Sequence, residues 1–283
     1  MTEILYMPDT EANYIREWDA AITARGEDWV ELDRTAFYPE GGGQPTDTGW
    51  LEWPGGRSRV KMVTKKNGVK HFLEGPVPEG KVHCLLDWER RYGHMRMHTA
   101  QHIVSGVVFD RFGARTVGNQ LYHDRARVDF HPIKFTKEQL AIIEAEANGI
   151  IAREIDVRIY REQRADLEKR VNEERCNLDL IPKSVSDLRV IEVAGFDICP
   201  CAGTHVRNTR ELGKVHILEC ESKGKDRCRV TYELGRGEGG TGQLPADGTV
   251  QSECGQLRRG DPGLRLLDDS DGYSHGLRFN EET

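Results

Sequence analysis

Thr35-Ala-Phe-Tyr-Pro-Glu-Gly-Gly-Gly-Gln-Pro-Thr-Asp-Thr-Gly49 is the stretch on which the reading of this chain turns. Three consecutive glycines free the backbone to take positive φ and to approach another backbone closely. The stretch lacks the Gly-Lys-Ser/Thr ending of a Walker phosphate loop, so hydrolysis of a nucleoside triphosphate is not expected. Two readings stay open: a tight loop between two strands of a barrel, or a loop that touches RNA backbone or covers a neighbouring active site. Outward from it, short apolar stretches such as Trp29-Val30-Glu31-Leu32 alternate with Pro54-Gly55-Gly56, Lys66-Asn67-Gly68 and Pro78-Glu79-Gly80. Asn67-Gly68 between Val63 and Val69 is a strong two-residue hairpin signal. Many short strands at this spacing predict a β-barrel or sandwich over residues 1–88.

Residues 89–234 read as a second, α+β unit. A helical pattern between His94 and Phe112 sets Met97, Ile103, Val104, Val107 and Val108 on one side. Strands follow at 120–122 and 127–130. Thr136 is a fitting N-cap for a helix that presents Leu140, Ile143, Ala147, Ile150 and Ile151. Beyond it lie a strand at 157–160, a polar helix over 161–175, and strands at 188–193, 214–219 and 227–234. Residues 235–283 hold 11 of the 30 glycines and almost no apolar periodicity, which predicts a disordered tail.

The 283 residues, 31% charged and 37% hydrophobic, suit a soluble protein of two modest domains. No apolar run approaches the roughly 20 residues of a membrane span. The start, MTEILYMPDTEANY, has none of the features of a signal peptide, so a cytoplasmic protein is expected. Seven cysteines with irregular spacing in such a setting predict reduced thiols rather than a disulfide framework. The net charge of −7 does not favour nucleic acid, but from Arg236 onward 5 Lys/Arg face 9 Asp/Glu. The body is thus far less acidic and carries local basic clusters, and net charge is a poor guide where contact is local.

The residues that carry chemistry come in two pairs. His98-Thr-Ala-Gln-His102 places two imidazoles one helical turn apart on one face. Cys201-Ala-Gly-Thr-His205 sets a thiol and an imidazole four apart around a glycine. Either pair alone is a weak signal; together they form a His, His, Cys, His set suited to one zinc ion. Cys199 is an alternative ligand or a redox partner for Cys201, although a single intervening residue is short for two ligands of one tetrahedral ion. Thr99 follows His98 where a zincin protease helix carries glutamate, so no built-in base accompanies this pair. Arg90, Arg91 and Arg96 on the same predicted helix fit contact with RNA, or simply a solvated face. Trp88 and Tyr92 offer rings that stack on a base or pack in the core.

In order along the chain, TAFYPEGGGQPTDTG, MRMHTAQH and CPCAGTHVRNTRELG resemble the editing domain of alanyl-tRNA synthetase, and more closely its free-standing AlaX relatives. The resemblance spans about residues 25–234. It implies an α+β fold, with a small N-terminal β-barrel domain followed by an α/β zinc-binding editing domain. It implies a trans-editing hydrolase that cleaves the ester of tRNA(Ala) mischarged with serine or glycine, acting at the acceptor end. His98, His102, Cys201 and His205 match the family's zinc-binding set. Thr116 falls where the family keeps a polar pocket residue and is the candidate catalytic-pocket partner of a serine hydroxyl. Gly41, Gly42 and Gly43 match the glycine-rich motif associated with tRNA discrimination. Ala202 departs from the family, which often has a second glycine there. A non-catalytic zinc module that binds RNA, an editing enzyme of the threonyl type, and a structural zinc protein remain the alternatives.

Overall fold

A computed structural model describes residues 2–236 apart from 173 and 177; the tail expected to be disordered falls almost entirely outside the described residues. The chain opens with β1 (Glu3–Ile4) and a short 3-10 turn at Glu11–Tyr14, then builds a barrel. Its strands are β2 (Glu17–Arg25), β3 (Trp29–Leu32), β5 (Gly49–Trp53), β6 (Gly56–Thr64), β7 (Lys70–Glu74) and β8 (Lys81–Leu86). β4 (Arg34–Thr35) lies outside the barrel and pairs with β1. The barrel closes in the order β2-β3-β7-β6-β5-β8, every pair antiparallel. Asn67 and Gly68, both at positive φ, lie in the turn that joins β6 to β7; the ladder ends at Thr64 and Lys70, so the connection is longer than the two-residue hairpin expected. Alternating residues of these strands, among them Val30, Leu32, Leu51, Val60, Leu73, Val82 and Cys84, fill the interior.

After the barrel comes α1 (Trp88–Phe112), ended by Gly113 in the left-handed region with its N–H on the Phe109 carbonyl. It is followed by β9 (Arg115–Leu121), β10 (Arg125–His131), α2 (Lys137–Ile151), β11 (Val157–Gln163), a single helical turn α3 (Arg164–Leu167), β12 (Asp187–Val193), β13 (Asp197–Pro200), β14 (Val215–Ser222) and β15 (Cys228–Leu234). One antiparallel sheet runs β14-β15-β10-β9 and another β11-β12-β13. Thr136 caps α2 with a complete capping box: its side chain accepts from the Gln139 N–H, and the Gln139 side chain accepts from the Thr136 N–H.

α1 is buried nearly all round because it serves two partners. Met95, Met97, Ala100, Ile103, Val104, Val107 and Val108 join a core with Leu121, Val128 and Phe130 of the sheet and Ile143 and Ala147 of α2. His94, His98 and His102 are buried as well. Its junction with the barrel is ionic. Arg91, without solvent exposure, donates to the Asp47 carboxylate and to the Ala36 and Asn13 carbonyls. Asp47 Oδ2 also accepts from the Tyr38 N–H, so the Arg91 guanidinium and the Tyr38 amide converge on one carboxylate oxygen.

Two expectations are corrected here. Residues 161–175 do not form one polar helix. β11 continues through Gln163, paired residue for residue with β12, and Val157 and Ile159 face inward. Strand pairing and burial outweigh the helical preference of Arg, Glu and Gln. Beyond it, Arg164 donates to the Leu178, Ile181, Pro182 and Val185 carbonyls and organises the connection to β12. The cysteines are not all reduced either. The β14–β15 hairpin brings the Cys220 and Cys228 Cα atoms to 6.6 Å, and the two are joined in a disulfide.

Candidate functional site

His98 and His102 stand one turn apart on α1, and Cys201 and His205 reach them from the loop after β13. One ligand atom from each lies within 4.8 Å of every other, so the four form one group that could hold a metal ion. The three histidines are buried, and Cys201 as a residue is partly exposed.

The hydrogen bonds aim each ring. His98 Nδ1 lies 2.9 Å from Gln44 Oε1, His102 Nδ1 2.9 Å from Asp197 Oδ2, and His205 Nδ1 3.2 Å from Thr99 Oγ1. The Thr99 hydroxyl donates to the Met95 carbonyl, 2.9 Å away, so toward His205 it accepts. All three rings therefore carry their proton on Nδ1 and turn Nε2 toward the centre. Such outer partners are the usual means of fixing the tautomer of a metal-binding histidine. Cys201 Sγ sits 3.5 Å from Nε2 of His98 and of His205, and the Gly203 N–H donates to it at 3.4 Å. His102 Nε2 is buried with no protein partner. A buried polar atom without a partner is costly, and a cation at the centre would satisfy it. Gly203 completes the cradle: a Cβ there would lie 2.1 Å from His98 Cε1.

The electrostatics agree. Burial alone would raise the Cys201 thiol, but His98 and His205 beside it pull it well below the ordinary cysteine range. Burial would lower His102, yet the Asp197 carboxylate and Cys201 push it up to about 10. A thiolate beside an imidazolium is a site in which protons stand where a cation belongs.

Residues far apart in sequence hold this arrangement. The His205 N–H donates to Asn13 Oδ1 at 2.7 Å, and Arg189 donates to the Cys201 carbonyl at 2.5 Å. The Arg175 guanidinium lies 3.0 Å from the Asp197 carboxylate. The sequence assigns no supporting role to Gln44, Thr99, Asp197 or Asn13. Only Gln44, inside the glycine-rich stretch, and Thr99, between the two histidines, had a signal that could have marked them.

The other sequence candidates fall in different places. Thr116, on β9, is exposed, and its hydroxyl lies 2.7 Å from Ser105 Oγ. Ser105 Oγ accepts from Gln101 Nε2 at 2.8 Å, and Gln101 immediately precedes His102. Thr116 is thus tied by one hydrogen bond, through Ser105, to the helix that bears the histidines. Gly43, at φ +80°, is pressed against β9: a Cβ there would lie 1.8 Å from Asn119 Oδ1, and its carbonyl accepts from the Leu121 N–H at 2.8 Å. Gly41 and Gly42 form the turn beside it, where the Tyr38 hydroxyl donates to the Gly41 carbonyl at 2.9 Å. The basic trio is not a solvated face. Arg91 is buried on Asp47 and is corrected from surface contact to internal support. Arg96 donates to the Glu211, Leu212 and Gly235 carbonyls, and Arg90, half-buried, to the Thr46 carbonyl at 3.2 Å. Trp88 and Tyr92 stack on each other with centroids 5.6 Å apart. Cys199 turns to Cys176, with the sulfurs 3.4 Å apart, and is not part of the four-residue group. Among the described residues no helix is long and apolar enough to cross a membrane.

Known proteins match this sequence along most of its length. Residues 188–231, which include Cys201 and His205, match the family described as the second additional domain of threonyl and alanyl tRNA synthetases. Residues 10–90, which include the barrel and its glycine-rich loop, match class II (A) tRNA synthetases. The alanyl-tRNA editing protein AlaX-M of Methanosarcina barkeri is 39% identical over 244 residues, covering 83% of this chain and 99% of the relative. AlaX-M of Saccharolobus solfataricus is 36% identical over the same share of each chain. The alanine–tRNA ligase of Thermococcus kodakarensis is 38% identical over 241 residues, 81% of this chain but only 26% of that enzyme. By its identity with full-length relatives, and with the four-residue centre in place, the chain belongs to the AlaX-type alanyl-tRNA editing proteins.

Proposed function

We propose that this protein is a zinc-dependent deacylase that acts in trans on tRNA(Ala) mischarged with serine or glycine and hydrolyses the ester between the amino acid and the terminal ribose. The observation that carries the reading is the convergence of His98, His102, Cys201 and His205 with every Nδ1 engaged and His102 Nε2 left without a partner. The family relationship supplies the substrate class, since the relatives' names denote alanyl-tRNA editing. Two imidazoles, a thiolate and a third imidazole are borderline-soft donors that suit Zn2+.

The chain's own residues then have definite tasks. His98, His102, Cys201 and His205 hold the ion. Bound zinc would supply a Lewis acid beside the ester and a means of making hydroxide near neutral pH. Gln44, Asp197 and Thr99 keep the three rings oriented so that the ester meets a fixed geometry. The Thr116 hydroxyl, already bonded to Ser105, offers a partner to a serine hydroxyl. A polar pocket of this kind discriminates by the hydrogen bond that alanine cannot make. Gly41, Gly42 and Gly43 on the barrel side, with Arg90 in the first turn of α1, would guide the tRNA backbone.

A second reading has one observation in its favour. Four protein side chains around one ion is the closed set typical of structural zinc, which would suit a non-catalytic RNA-binding module. Deacylation of Ser-tRNA(Ala), Gly-tRNA(Ala) and Ala-tRNA(Ala) by the parent and by Cys201→Ala, with zinc counted in both, separates the two. Clearance of the mischarged tRNAs, sparing of Ala-tRNA(Ala), and joint loss of zinc and turnover in the variant support the enzyme. Zinc binding with the mischarged esters left intact supports the module.

A further inference from the structure

The side chain of Gln44 crosses from the barrel to the metal-binding group, and both ends of its amide are used. Its orientation is fixed by chemistry. The Thr204 backbone N–H can only donate, and it lies 3.1 Å from Oε1, so Oε1 is the oxygen and Nε2 is left to donate to Thr204 Oγ1 at 2.9 Å. The same Oε1 faces His98 Nδ1 at 2.9 Å, so that ring nitrogen carries the proton. One buried amide therefore sets the tautomer of a ligand on α1 and clamps the backbone of the Cys201–His205 loop between its two ligands. Gln44 has no solvent exposure, and its own backbone bonds only to the turn, in a reciprocal bridge with Gly41. Its place thus depends on how the glycine turn sits. That turn is seated on β9 through Gly43, where no Cβ fits against Asn119 and where the carbonyl accepts from the Leu121 N–H.

We propose that Gln44 is a positioning residue of the metal centre, and that through it the centre is assembled only when the glycine-rich turn of the barrel is docked on β9. This rests on the metal reading above and deepens it. The glycines then act on the centre through Gln44, whatever they also contribute to tRNA. The barrel side of the chain supplies this partner, and α1 and the loop after β13 supply all four ligands. Loss of such an outer partner costs about 10–100-fold in metal affinity.

The test is competition for Zn2+ against a chromophoric chelator, combined with NMR of the His98 ring nitrogens, on the full chain. Gln44→Met keeps the length and removes the hydrogen bonds; it should lower Zn2+ affinity about 10–100-fold and release the His98 tautomer to a mixture. Gln44→Glu keeps an acceptor for His98 Nδ1–H and the Thr204 N–H, and it should restore affinity to within about threefold of the parent. A role in packing alone predicts the reverse order, since glutamate would bury a charge and methionine would not. Gly43→Ala touches no ligand, yet it should weaken Zn2+ binding in the same direction and add little to Gln44→Met in the double variant. It also keeps the question open to measurement if Gln44→Met does not fold. Parent-like affinity and a parent-like His98 tautomer in both Gln44→Met and Gly43→Ala would overturn the proposal while leaving the metal reading intact. A parent chain that binds no Zn2+, or whose binding survives His98→Asn and Cys201→Ala, would overturn the metal reading itself.

Discussion

Two buried histidines, one in each half of the molecule, are used in opposite ways. His71 of β7 lies inside the barrel with both ring nitrogens engaged, Nε2 with Thr35 Oγ1 at 2.9 Å and Nδ1 with the Val30 carbonyl at 3.3 Å. His102 of α1 is almost as deeply buried, but only Nδ1 is engaged, and Nε2 faces three other donor atoms with no partner. The first satisfies itself and serves the fold. The second has its orientation fixed and its Nε2 left without a protein partner inside a group of four donors, which is where an ion would be held. Burial alone does not tell them apart; the count of partners does.

Exchange of the two histidines for asparagine breaks or sharpens this contrast most sharply. His102→Asn is expected to lose stoichiometric Zn2+ and to cut deacylation of Ser-tRNA(Ala) by more than about 100-fold. His71→Asn should keep one Zn2+ per chain and show its cost only in denaturant unfolding. Equal metal loss in both variants would erase the distinction. A smaller effect is expected where the halves meet. Arg91→Ala strands Asp47 in the interface between barrel and α1 and should cost about 3–5 kcal/mol in urea unfolding. A change near zero would mean that the junction is not held by this pair.

The pH dependence of stability reports on the barrel histidine. Burial lowers His71 from its ordinary 6.5 to about 4. Between those values the unfolded chain binds the proton and the folded chain does not. Its contribution is therefore complete above pH 6.5 and is lost as pH falls toward 4, on the order of 3 kcal/mol in all. The slope should flatten in His71→Gln; an unchanged slope would place the acid sensitivity elsewhere. The smallest effect expected is at the α2 cap, where Thr136→Ala should cost about 1 kcal/mol in thermal or urea unfolding without altering metal content.

Features that depend on local pattern were legible in the sequence. Asn67-Gly68 gave its hairpin, Thr136 its cap, and the His98/His102 and Cys201/His205 spacings gave the two halves of one centre. Features that depend on which surfaces meet were not. Arg91 looks like any basic helix residue until Asp47, 44 positions earlier, is seen against it. Asp197 and Asn13 carry no motif, yet they fix His102 and the Cys201–His205 loop from 95 and 192 positions away. The strand β11 is misread as turning into helix after residue 160 because its Arg-Glu-Gln ending favours helix locally, while its pairing with β12 is a long-range fact. Polar side chains whose role is to satisfy another polar group have no periodicity of their own, so sequence pattern passes over them.

The most direct measurement is deacylation of Ser-tRNA(Ala) by one preparation in three states: as purified, stripped by chelator, and restored with one equivalent of Zn2+. The account predicts that turnover is lost on stripping, returns with one Zn2+ per chain, and does not return in His102→Asn. Stripped protein as active as the starting material, with zinc content verified below one-tenth of stoichiometric, would contradict it.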